Sequence, residues 1–497
     1  MPQAAILVID VGTTVLKTGL FDFRCCPMAR DSCAHGTEGL TPEEAASKLW
    51  HALKESVASV LRLQPRSHVA AVGLTGFMHY AFPLDARGRV LPLTASSPEV
   101  RRGFDDLLAH FGKERIYEVT GSRLDVTSVP AQVLGWRACG PGRFDEIAHL
   151  LPVKDLLRYR LTGEIATDEI DACGMMFYDI HRRRWDADIA GYCGIKLEAL
   201  PAVRHCTERA GVVNAWAAAE LGIPAGVPVA VGGGDDIEIL GTGARSPRQA
   251  CEHVGSTGSF LVSIPQPEED PKRRLELYPA VTRNGWVLGG SCSNVARALD
   301  WFLAGSRYES GGSVAWDRAR GDFAAAIGKD GADRPLFLPY LDGERTPLWD
   351  PDLNAEWVGL RRSHDACDLL ASVVEGICFS LRHILECYGD LGREIDLVYS
   401  SGGFNEFGAQ RLRASVYGKP IRLVRGVDPT AFATCAITLT SIGELSDPLQ
   451  AADWLEFEPD VEPDLAWQVR LNERFERFVE CSQRVTVLPD EPEAAVR

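Results

Sequence analysis

Two adjacent carboxylates, Asp235 and Asp236, follow three glycines near the middle of the chain. The β-branched run at 227–231 predicts a short strand, and glycines at its end let a ligand approach the backbone closely. A carboxylate at the end of such a strand can accept a proton from a substrate or bind a metal ion. Asp235 can equally cap the helix predicted to begin near Ile237. The segment alone leaves these alternatives open.

Two turns of small and hydroxyl residues each join two short apolar strands, roughly half a chain apart. The first turn contains Gly12, Thr13 and Thr14, and the second contains Gly255, Ser256 and Thr257. Backbone N–H groups in such turns can bind one anion together, and Lys17 adds a positive charge beside the first. Either turn alone can be an ordinary hairpin. Together with Asp235 and a third turn at Gly402 and Gly403, they favour a site for nucleotide phosphates.

The sequence lacks the phosphate-binding motifs of several other architectures. It has no Gly-x-x-x-x-Gly-Lys-Ser/Thr segment of the P-loop type. It also has no Gly-x-Gly-x-x-Gly in the context typical of protein kinases or dinucleotide-binding folds. The pair of turns therefore indicates a different way of binding phosphate.

The bulk composition excludes several classes of function. The chain has 497 residues, enough for about two to four domains. Its net charge of −17 argues against non-specific nucleic-acid binding, which needs a basic surface. No apolar run is long enough to span a membrane, and the N-terminal residues do not resemble a signal peptide. The 14 cysteines lack Cys-x-x-Cys spacing, so we expect no zinc site and a reducing, cytoplasmic location.

Hydrophobic periodicity predicts the elements that position these residues. They are a buried strand at 5–10, amphipathic helices at 43–61 and 368–388, and further helical segments at 406–417 and 467–481. The strand–turn–strand plan occurs in both halves, which suggests two related α/β domains with a polar boundary near 244–250. The stretch 488–497 is predicted to be a loose tail.

Several motifs, taken in order, resemble those of the FGGY family of carbohydrate kinases, part of the ATPase superfamily that includes actin, hexokinase and the heat-shock chaperones. The motifs are Asp10-Val-Gly-Thr-Thr-Val-Leu-Lys17, Gly76-Phe-Met-His79, the segment 154–164, Gly234-Asp235, the segment 339–350 and Gly402-Gly403. Each motif is weak by itself, and their common order makes the resemblance specific. It extends from about residue 5 to about residue 480.

The resemblance implies an α/β fold with two ribonuclease-H-like domains flanking a catalytic cleft. Residues 1–244 would form the N-terminal, sugar-binding domain and residues 245–487 the C-terminal, nucleotide-binding domain, followed by the tail at 488–497. The implied reaction moves the γ-phosphate of ATP to a hydroxyl group of a sugar. Phosphoryl transfer of this kind depends on alignment, charge neutralisation and a proton acceptor.

The resemblance also implies a role for each candidate residue. Asp235 is the general base, and Asp10 holds Mg²⁺. The residues expected to contact ATP and its phosphates are Gly12, Thr13, Thr14, Lys17, Gly255, Ser256, Thr257, Gly402, Gly403 and Asn405, the last three bordering the adenosine. The residues expected to contact the sugar are Met78, His79, Glu99, Arg101, Asp235 and Asp236.

Gly76-Phe-Met-His79 resembles the Gly-Gln-Met-His segment of xylulokinases, and the Met-His pair also occurs in gluconokinases. Met78 and His79 are therefore expected to line the sugar pocket. The alternative for His79 is a buried histidine at a strand end, with its hydrogen bonds satisfied by the core.

The chain departs from the family pattern at several positions. The Trp-Asn-Asp-x-Arg stretch of xylulokinases appears as Ser97-Pro-Glu-Val-Arg101, and a lysine of the family's N-terminal signature appears as Gln132. Asp236 and Glu238 follow the predicted base, where the family usually has Asn or Gln directly after it. The family's late Glu-Ala-x-x-x-Gly-Ala-Ala is replaced by the segment 428–436. We interpret these changes as lying at the sugar and adenine ends. Acidic side chains near the sugar would disfavour an anionic substrate such as gluconate.

The predicted protein is thus an ATP- and Mg²⁺-dependent kinase for a ketose or polyol, most similar in pattern to xylulokinases. The alternatives are a gluconokinase, another sugar or polyol kinase of the same family, or an ATP-binding regulatory protein that no longer transfers phosphate. Retention of Asp235 and Asp10 argues against the regulatory alternative. We expect a small-molecule substrate, no nucleic-acid or membrane partner, and a monomer or homodimer.

Overall fold

The computed structural model describes residues 3–306, 312–328, 331 and 333–484. The tail predicted at 488–497 lies outside these residues. The chain forms two compact units, which are interleaved in sequence. Unit 1 contains Met1–Arg245, Ser263–Leu288 and Val424–Glu456, and unit 2 contains Ser246–Val262, Gly289–Leu423 and Phe457–Arg497. The assignment of residues 1–244 to sugar and 245–487 to nucleotide stays a prediction.

The strands are β1 Gln3–Val11, β2 Val15–Phe21, β3 Pro27–Ala34, β4 Ser67–Gly76, β5 Ala81–Leu84, β6 His149–Pro152, β7 Ala166–Asp168, β8 Tyr178–Asp179, β9 Arg184–Trp185, β10 Ala202–Arg204, β11 Arg209–Val212, β12 Pro228–Ala230, β13 Gly233–Gly234, β14 Gln249–Val254, β15 Gly258–Ile264, β16 Glu276–Pro279, β17 Trp286–Cys292, β18 Leu336–Leu338, β19 Glu356–Val358, β20 Leu397–Ser401 and β21 Ile421–Leu423. The helices are α1 Pro42–Leu63, α2 Ser97–Thr120, α3 Val129–Cys139, α4 Pro141–Phe144, α5 Val153–Thr162, α6 Glu169–Gly174, α7 Ala187–Cys193, α8 Ala215–Leu221, α9 Glu238–Thr242, α10 Ala296–Ala304, α11 Gly312–Ile327, α12 Ala366–Asp390, α13 Gln410–Tyr417, α14 Pro429–Ser441 and α15 Leu465–Ser482. Short 3₁₀ segments lie at Leu197–Ala199, Asp235–Ile237, Gly403–Phe407 and Pro448–Trp454.

Unit 1 is built on a seven-stranded sheet in the order β11-β12-β4-β1-β2-β3, with β13 also pairing with β4. Strands β1 and β4 are parallel, and β1, β2 and β3 form an antiparallel meander. Strand β1 is apolar along almost its whole length because helices cover both faces of the sheet. Leu7 and Ile9 pack in the cluster that includes α1, whereas Ile6 and Val8 pack in the cluster that includes α14.

This alternation fixes the direction of the polar side chains in the sheet. Successive residues of a strand point to opposite faces, so Asp10 lies on the same face as Ile6 and Val8, the face that α14 covers. Thr75 and Lys17 are its partners across β4 and β2 and therefore share that face. On β4, a side chain at Gly73 would come within 2.0 Å of Thr438 on α14, which explains the glycine.

In unit 2 the strands run in the order β17, β15, β14, β20 and β21. Strands β14 and β15 form an antiparallel hairpin, and β20 lies parallel to β14 on its other side. Helix α12 is buried along much of its length and begins at a capping box in which Asp365 accepts hydrogen bonds from Cys367 N and Asp368 N.

The helices predicted at 43–61, 368–388 and 467–481 are confirmed as α1, α12 and α15. Thr41 and Glu44 form a capping box at the start of α1. The helix predicted at 406–417 is wrong in its first part. A 3₁₀ segment ends at Phe407, Gly408 caps it with φ of 85°, and α13 starts only at Gln410. Among the described helices, none combines the length and the apolar character needed to cross a membrane.

Candidate active site

Three strand ends meet at one edge of the unit 1 sheet. Asp10, near the end of β1, pairs with Thr75 on β4, and Gly233 on β13 also pairs with Thr75. All three strands run parallel, so their carboxyl ends lie together. Gly232 must be a glycine here, because its φ is 73° and a Cβ would come within 2.0 Å of the Leu74 carbonyl oxygen. The structure thus brings Asp10 and the segment leading to Asp235 to the same edge.

Asp235 is the first residue of a 3₁₀ turn that continues into the short helix α9. The residues at the N-cap positions of the turn and of α9 are Gly234 and Ile237, and neither makes a side-chain capping bond. Asp235 therefore does not occupy either N-cap position. Its side chain and that of Asp236 are half-buried.

Met78 lies directly against the glycine that precedes Asp235. A Cβ on Gly234 would come within 2.8 Å of Met78 Cγ and Sδ, and one on Gly174 would come within 3.0 Å of Met78 Cβ. Met78 also packs against the cluster that contains Ile170 and Ile237. Of the predicted sugar-binding residues, Met78 is thus shown in contact with the Asp235 segment.

His79 is exposed, so the alternative of a buried core histidine is wrong. Its backbone is left-handed, with φ of 64°, and its carbonyl oxygen accepts a hydrogen bond from Gln132 Nε2 at 3.3 Å. Gln132 also donates to the Thr127 carbonyl oxygen. Gln132 therefore helps to hold the loop that carries Met78 and His79.

Glu99 and Arg101 lie in the first turns of α2. Glu99 lines a cavity of about 400 Å³ together with Arg102, Arg137 and Tyr192. Arg101 Nε lies 3.4 Å from Asp105 Oδ1. The cavity at Glu99 shares no described lining residue with the cavity that contains Asp10. The sugar-binding roles of Glu99 and Arg101 remain predictions.

A cavity of about 380 Å³ lies beside Asp10 on the face that α14 covers. Its charged lining residues all belong to unit 1: Asp10, Lys17, Arg30, Asp31 and Asp428. The Lys17 ammonium lies 3.5 Å from Asp10 Oδ2 and 3.2 Å from Asp428 Oδ2. Burial lowers the pKa of Lys17, but the charges of Asp428 and Asp10 outweigh it, and the net pKa is raised. Lys17 therefore stays charged and bridges two carboxylates.

Glu238 faces α14, and its expected position near the sugar stays a prediction. It is 5% exposed, and Thr430 Oγ1 lies 3.5 Å from its Oε2 atom. Helix α9 also approaches α14 at Gly241, where a Cβ would come within 1.8 Å of the Pro429 carbonyl oxygen. Two of the departures from the family pattern, at 238 and at 428–436, thus pack against each other. The interpretation that the departures lie at the sugar and adenine ends stays a prediction.

The first phosphate turn is held by the backbone of unit 1. Gly12 N donates to the Val15 carbonyl oxygen at 3.0 Å, and the Gly12 carbonyl oxygen lies 3.0 Å from His35 Nε2. A Cβ at Gly12 would come within 2.9 Å of the Val15 carbonyl oxygen, so the turn needs a glycine. Thr13 and Thr14 are exposed.

A buried charge cluster supports this edge of the sheet, and sequence reasoning missed it. Lys154 Nζ lies 2.6 Å from Asp155, 2.8 Å from Asp168 and 2.9 Å from Asp171. Arg158 adds a contact of 2.8 Å to Asp155. Asp168 also caps α6, accepting hydrogen bonds from Ile170 N and Asp171 N. The only sequence signal was the Lys-Asp pair that opens the segment 154–164.

In this cluster, burial and ion pairing shift the pKa values of the charged groups in opposite directions. Burial lowers the pKa of the Lys154 ammonium, and the three carboxylates raise it by more. Burial raises the pKa of Asp171, which its contact with Lys154 only partly offsets. The carboxylates have the spacing of a metal site, but the lysine ammonium occupies their centre. The cluster therefore holds α5, α6 and β7 together.

In unit 2 the turn Gly255–Thr257 joins β14 to β15 and holds the start of α10. The carbonyl oxygens of Gly255 and Ser256 accept hydrogen bonds from Ala296 N and Val295 N, both at 3.0 Å. Gly402 lies against the end of β14: its φ is 95°, and a Cβ would come within 2.5 Å of the Val254 carbonyl oxygen. Unit 2 thus brings the second and third predicted turns together.

Asn405 is anchored by a buried network that sequence reasoning also missed. Its Oδ1 atom accepts a hydrogen bond from Arg413, which is fully buried. Arg413 also pairs with Glu252 at 2.6 Å, and the Tyr417 hydroxyl donates to Glu252 at 2.6 Å. This buried network fixes the turn between β20 and α13.

Comparisons with known proteins agree with this arrangement. The model of the N-terminal domain of the FGGY family of carbohydrate kinases matches residues 5–240, and that of the C-terminal domain matches 253–433. A gluconokinase from Bacillus licheniformis is 24% identical over 465 residues, 88% of this chain and 88% of that protein. A xylulose kinase from Bacillus subtilis is 26% identical over 414 residues, 80% of each protein. The crystal structure of a xyloylose kinase from Brucella ovis has a TM-score of 0.82 and 25% identity, covering 97% of this chain and 99% of that one.

The chain belongs to the FGGY family of carbohydrate kinases. The predicted fold class, the two-domain fold of the actin and hexokinase type, is confirmed. The predicted enzyme class is confirmed too: the protein is a sugar kinase that phosphorylates its substrate with ATP.

Proposed function

We propose that the protein transfers the γ-phosphate of ATP to a hydroxyl group of a neutral ketose or polyol similar to xylulose, with Asp235 as the general base. The observation that carries the proposal is the meeting of β1, β4 and β13 at one sheet edge. Asp10 lies at this edge, and Asp235 follows β13 with Met78 packed beside Gly234. A carboxylate next to an apolar contact surface suits a base that meets a sugar hydroxyl.

The proposal gives each group one task. Asp235 takes the proton of the attacking hydroxyl as the new O–P bond forms, so the acceptor oxygen does not carry a developing positive charge. Met78 and His79 orient the sugar, since a small error in the position of the hydroxyl lowers the rate strongly. The turns Gly12–Thr14 and Gly255–Thr257 contact phosphate oxygens through groups other than the N–H of Gly12 and of Gly255, which donate to the Val15 and Thr257 carbonyl oxygens. Gly402, Gly403 and Asn405 border the adenosine.

Mg²⁺ is part of the proposal, and the residues at Asp10 fit it. The cation prefers oxygen ligands, and the polar groups at this sheet edge include the carboxylates of Asp10, Asp235 and Asp236. Asp10 would hold the ion, directly or through water. When bound, Mg²⁺ neutralises charge on the phosphates of ATP.

A gluconokinase activity is the second candidate, because one specific observation favours it. The charge argument against gluconate counted Glu99, Asp236 and Glu238 near the sugar, yet Glu238 packs against α14 and Glu99 lines a separate cavity. Asp236 alone remains beside the proposed base. The relative from Bacillus licheniformis is a gluconokinase, which is consistent with this alternative.

Two further parts of the proposal concern the protein as a whole. We propose that it works in the cytoplasm, where ATP is the available phosphate donor. We also propose that it is a monomer or a homodimer.

The test is an ADP-release assay with Mg²⁺ and a panel of neutral ketoses, polyols and aldonates, including xylulose, ribulose, erythritol and gluconate. We expect xylulose or a similar neutral sugar to give the highest kcat/KM. Faster turnover of gluconate than of every neutral sugar would select the second candidate. ADP release that does not depend on any sugar would overturn the proposed transfer.

Asp235→Ala and Asp235→Asn test the base. Removal of a general base lowers a rate by about 100- to 10,000-fold, so we expect kcat to fall by this factor with little change in thermal unfolding. Asp188→Asn is the matched control, since Asp188 is 76% exposed on α7. Near-normal kcat in the Asp235 variants would contradict the assignment.

A further inference from the structure

We propose that Asp428 is a positioning residue that strengthens divalent-cation binding at Asp10 by drawing the Lys17 ammonium away from that carboxylate. This inference rests on the proposed function in one respect, namely that Asp10 holds the cation of the ATP complex. It assigns a role at the cation site to Asp428, the residue at the N-cap of α14.

Lys17 lies between two carboxylates of unit 1. Its Nζ atom is 3.5 Å from Asp10 Oδ2 and 3.2 Å from Asp428 Oδ2, so the shorter contact is with Asp428. Asp10 is buried, with 7% of its surface exposed, whereas the Lys17 side chain is 53% exposed. The lysine is therefore the more exposed partner, and two anions compete for it.

Asp428 is fixed independently of Lys17. It is the N-cap of α14, and its Oδ1 atom accepts a hydrogen bond from Ala431 N at 3.1 Å while Oδ2 contacts Lys17. Arg30 Nη2 donates to the Gly426 carbonyl oxygen at 2.6 Å, which ties the preceding loop to β3. Helix α14 itself packs on β1 and β4 through Phe432 and Ala436. The carboxylate is thus held rigidly beside the cavity.

An ammonium group and a divalent cation compete for the oxygens of Asp10. With Asp428 present, Lys17 has an alternative counter-charge, so Asp10 can bind the cation without leaving the lysine unpaired. Asp428 also adds a second negative charge next to Lys17, which would favour a cation held by Asp10 directly. Both effects increase the affinity for the cation, so removal of the charge of Asp428 weakens cation binding through each of them.

Asp428→Asn separates this role from helix capping. Asparagine and aspartate are comparable N-caps, so the variant keeps α14 and loses only the charge. Coulomb attraction over such a distance in partly solvated surroundings predicts about a three- to tenfold loss of cation affinity. Binding of Mn²⁺ to the protein in the presence of ADP, followed by electron paramagnetic resonance, measures this loss without any turnover. The Mg²⁺ concentration for half-maximal activity should rise by a similar factor.

Asp447→Asn is the matched control, because Asp447 also caps a short helical segment of unit 1, accepting from Leu449 N at 2.8 Å. We expect its Mn²⁺ affinity to equal that of the wild type. The loss at 428 should also be smaller in a Lys17→Met background, since the competing ammonium is then absent. Asp428→Ser keeps a capping side chain and should reproduce the effect of Asp428→Asn if the latter folds poorly.

Unchanged Mn²⁺ affinity in Asp428→Asn would overturn the inference, and so would an equal loss in Asp447→Asn. A loss that is just as large in the Lys17→Met background would show that Asp428 does not act through the lysine, which also overturns it. Failure of the proposed function has a different signature: the wild type would phosphorylate no sugar, while the order of the Mn²⁺ affinities would still follow the expectation.

Discussion

Replacement of Lys154 by methionine tests what holds the sheet edge of unit 1 in place. Methionine keeps most of the length and apolar surface of the side chain but removes the ammonium, whose three carboxylate contacts are between 2.6 and 2.9 Å. Asp155 retains Arg158 and Asp168 retains its two backbone donors. Asp171 loses its contact with Lys154 and stays buried. Removing one partner of a buried ion pair costs about 3–5 kcal/mol, and we expect a loss of this size.

The loss of stability in Lys154→Met should depend on pH, and the burial of Asp171 determines whether it grows or shrinks as the pH rises. Burial raises the pKa of Asp171 above its unfolded value, so its ionised form opposes folding above the folded-state pKa. This opposition declines as the pH falls through the folded-state pKa, because the protonated carboxyl is tolerated in the interior. Removing the ammonium raises that pKa further. Lys154→Met should therefore be destabilised more at pH 8 than at pH 5.

Amide hydrogen exchange is the appropriate assay, because a chain of two units need not unfold in a single transition. A loss of 3–5 kcal/mol corresponds to about 150- to 5,000-fold faster exchange in α5 and α6, provided that these helices open together with the rest of unit 1. Lys48→Met, at an exposed position of α1, is the control and should stay within about 0.5 kcal/mol of the wild type. Equal exchange in the two variants, or a larger loss at pH 5 than at pH 8, would refute the reasoning.

Two further predictions concern the nucleotide and sugar sides. Gly402→Ala should raise the KM for ATP several-fold and lower the stability of unit 2, because φ is 95° and the new Cβ would approach the Val254 carbonyl oxygen to 2.5 Å. The control is Gly389→Ala, where nothing lies within 4 Å of the added Cβ, and it should change neither quantity. A normal KM for ATP in Gly402→Ala would contradict the proposed position of the turn. Glu238→Gln should leave the ratio of kcat/KM for xylulose and gluconate unchanged, since Glu238 faces Thr430, whereas Asp236→Asn should shift it towards gluconate. Substrate ratios that respond to Glu238→Gln rather than Asp236→Asn would show that the acidic residue nearest the sugar has been misassigned.

Local patterns predicted much of the fold. The apolar run at 5–10 is buried on both faces, and the predicted strand is confirmed as part of β1, which extends from Gln3 to Val11. The capping box at Thr41 and the long apolar periodicity of α12 are equally local signals. The glycines at 232–234 were predicted to let a ligand approach, and the structure gives Gly232 a separate reason, because a Cβ there would meet the Leu74 carbonyl oxygen.

The contacts between distant segments could not be predicted in the same way. Lys17 and Asp428 are 411 positions apart, and neither residue type specifies the other as its partner. A lysine is almost never fully buried unless it is paired, and the approach of Asp168 and Asp171 makes the burial of Lys154 possible. Glu238 was assigned to the sugar because it follows Asp235, and its contact with α14 depends on the turn at Asp235–Ile237.

The position of α14 also constrains how the protein is made. This helix covers the face of β1 and β4 that carries Ile6, Val8 and Ala71, yet its residues come from the last fifth of the sequence. During synthesis the first strands leave the ribosome long before residues 429–441, so one apolar face of their sheet stays exposed until α14 has been made. A fragment that stops at residue 244 would keep that face exposed permanently, and exposed apolar sheet faces promote aggregation. Unit 1 therefore completes its core only when nearly the whole chain has been translated.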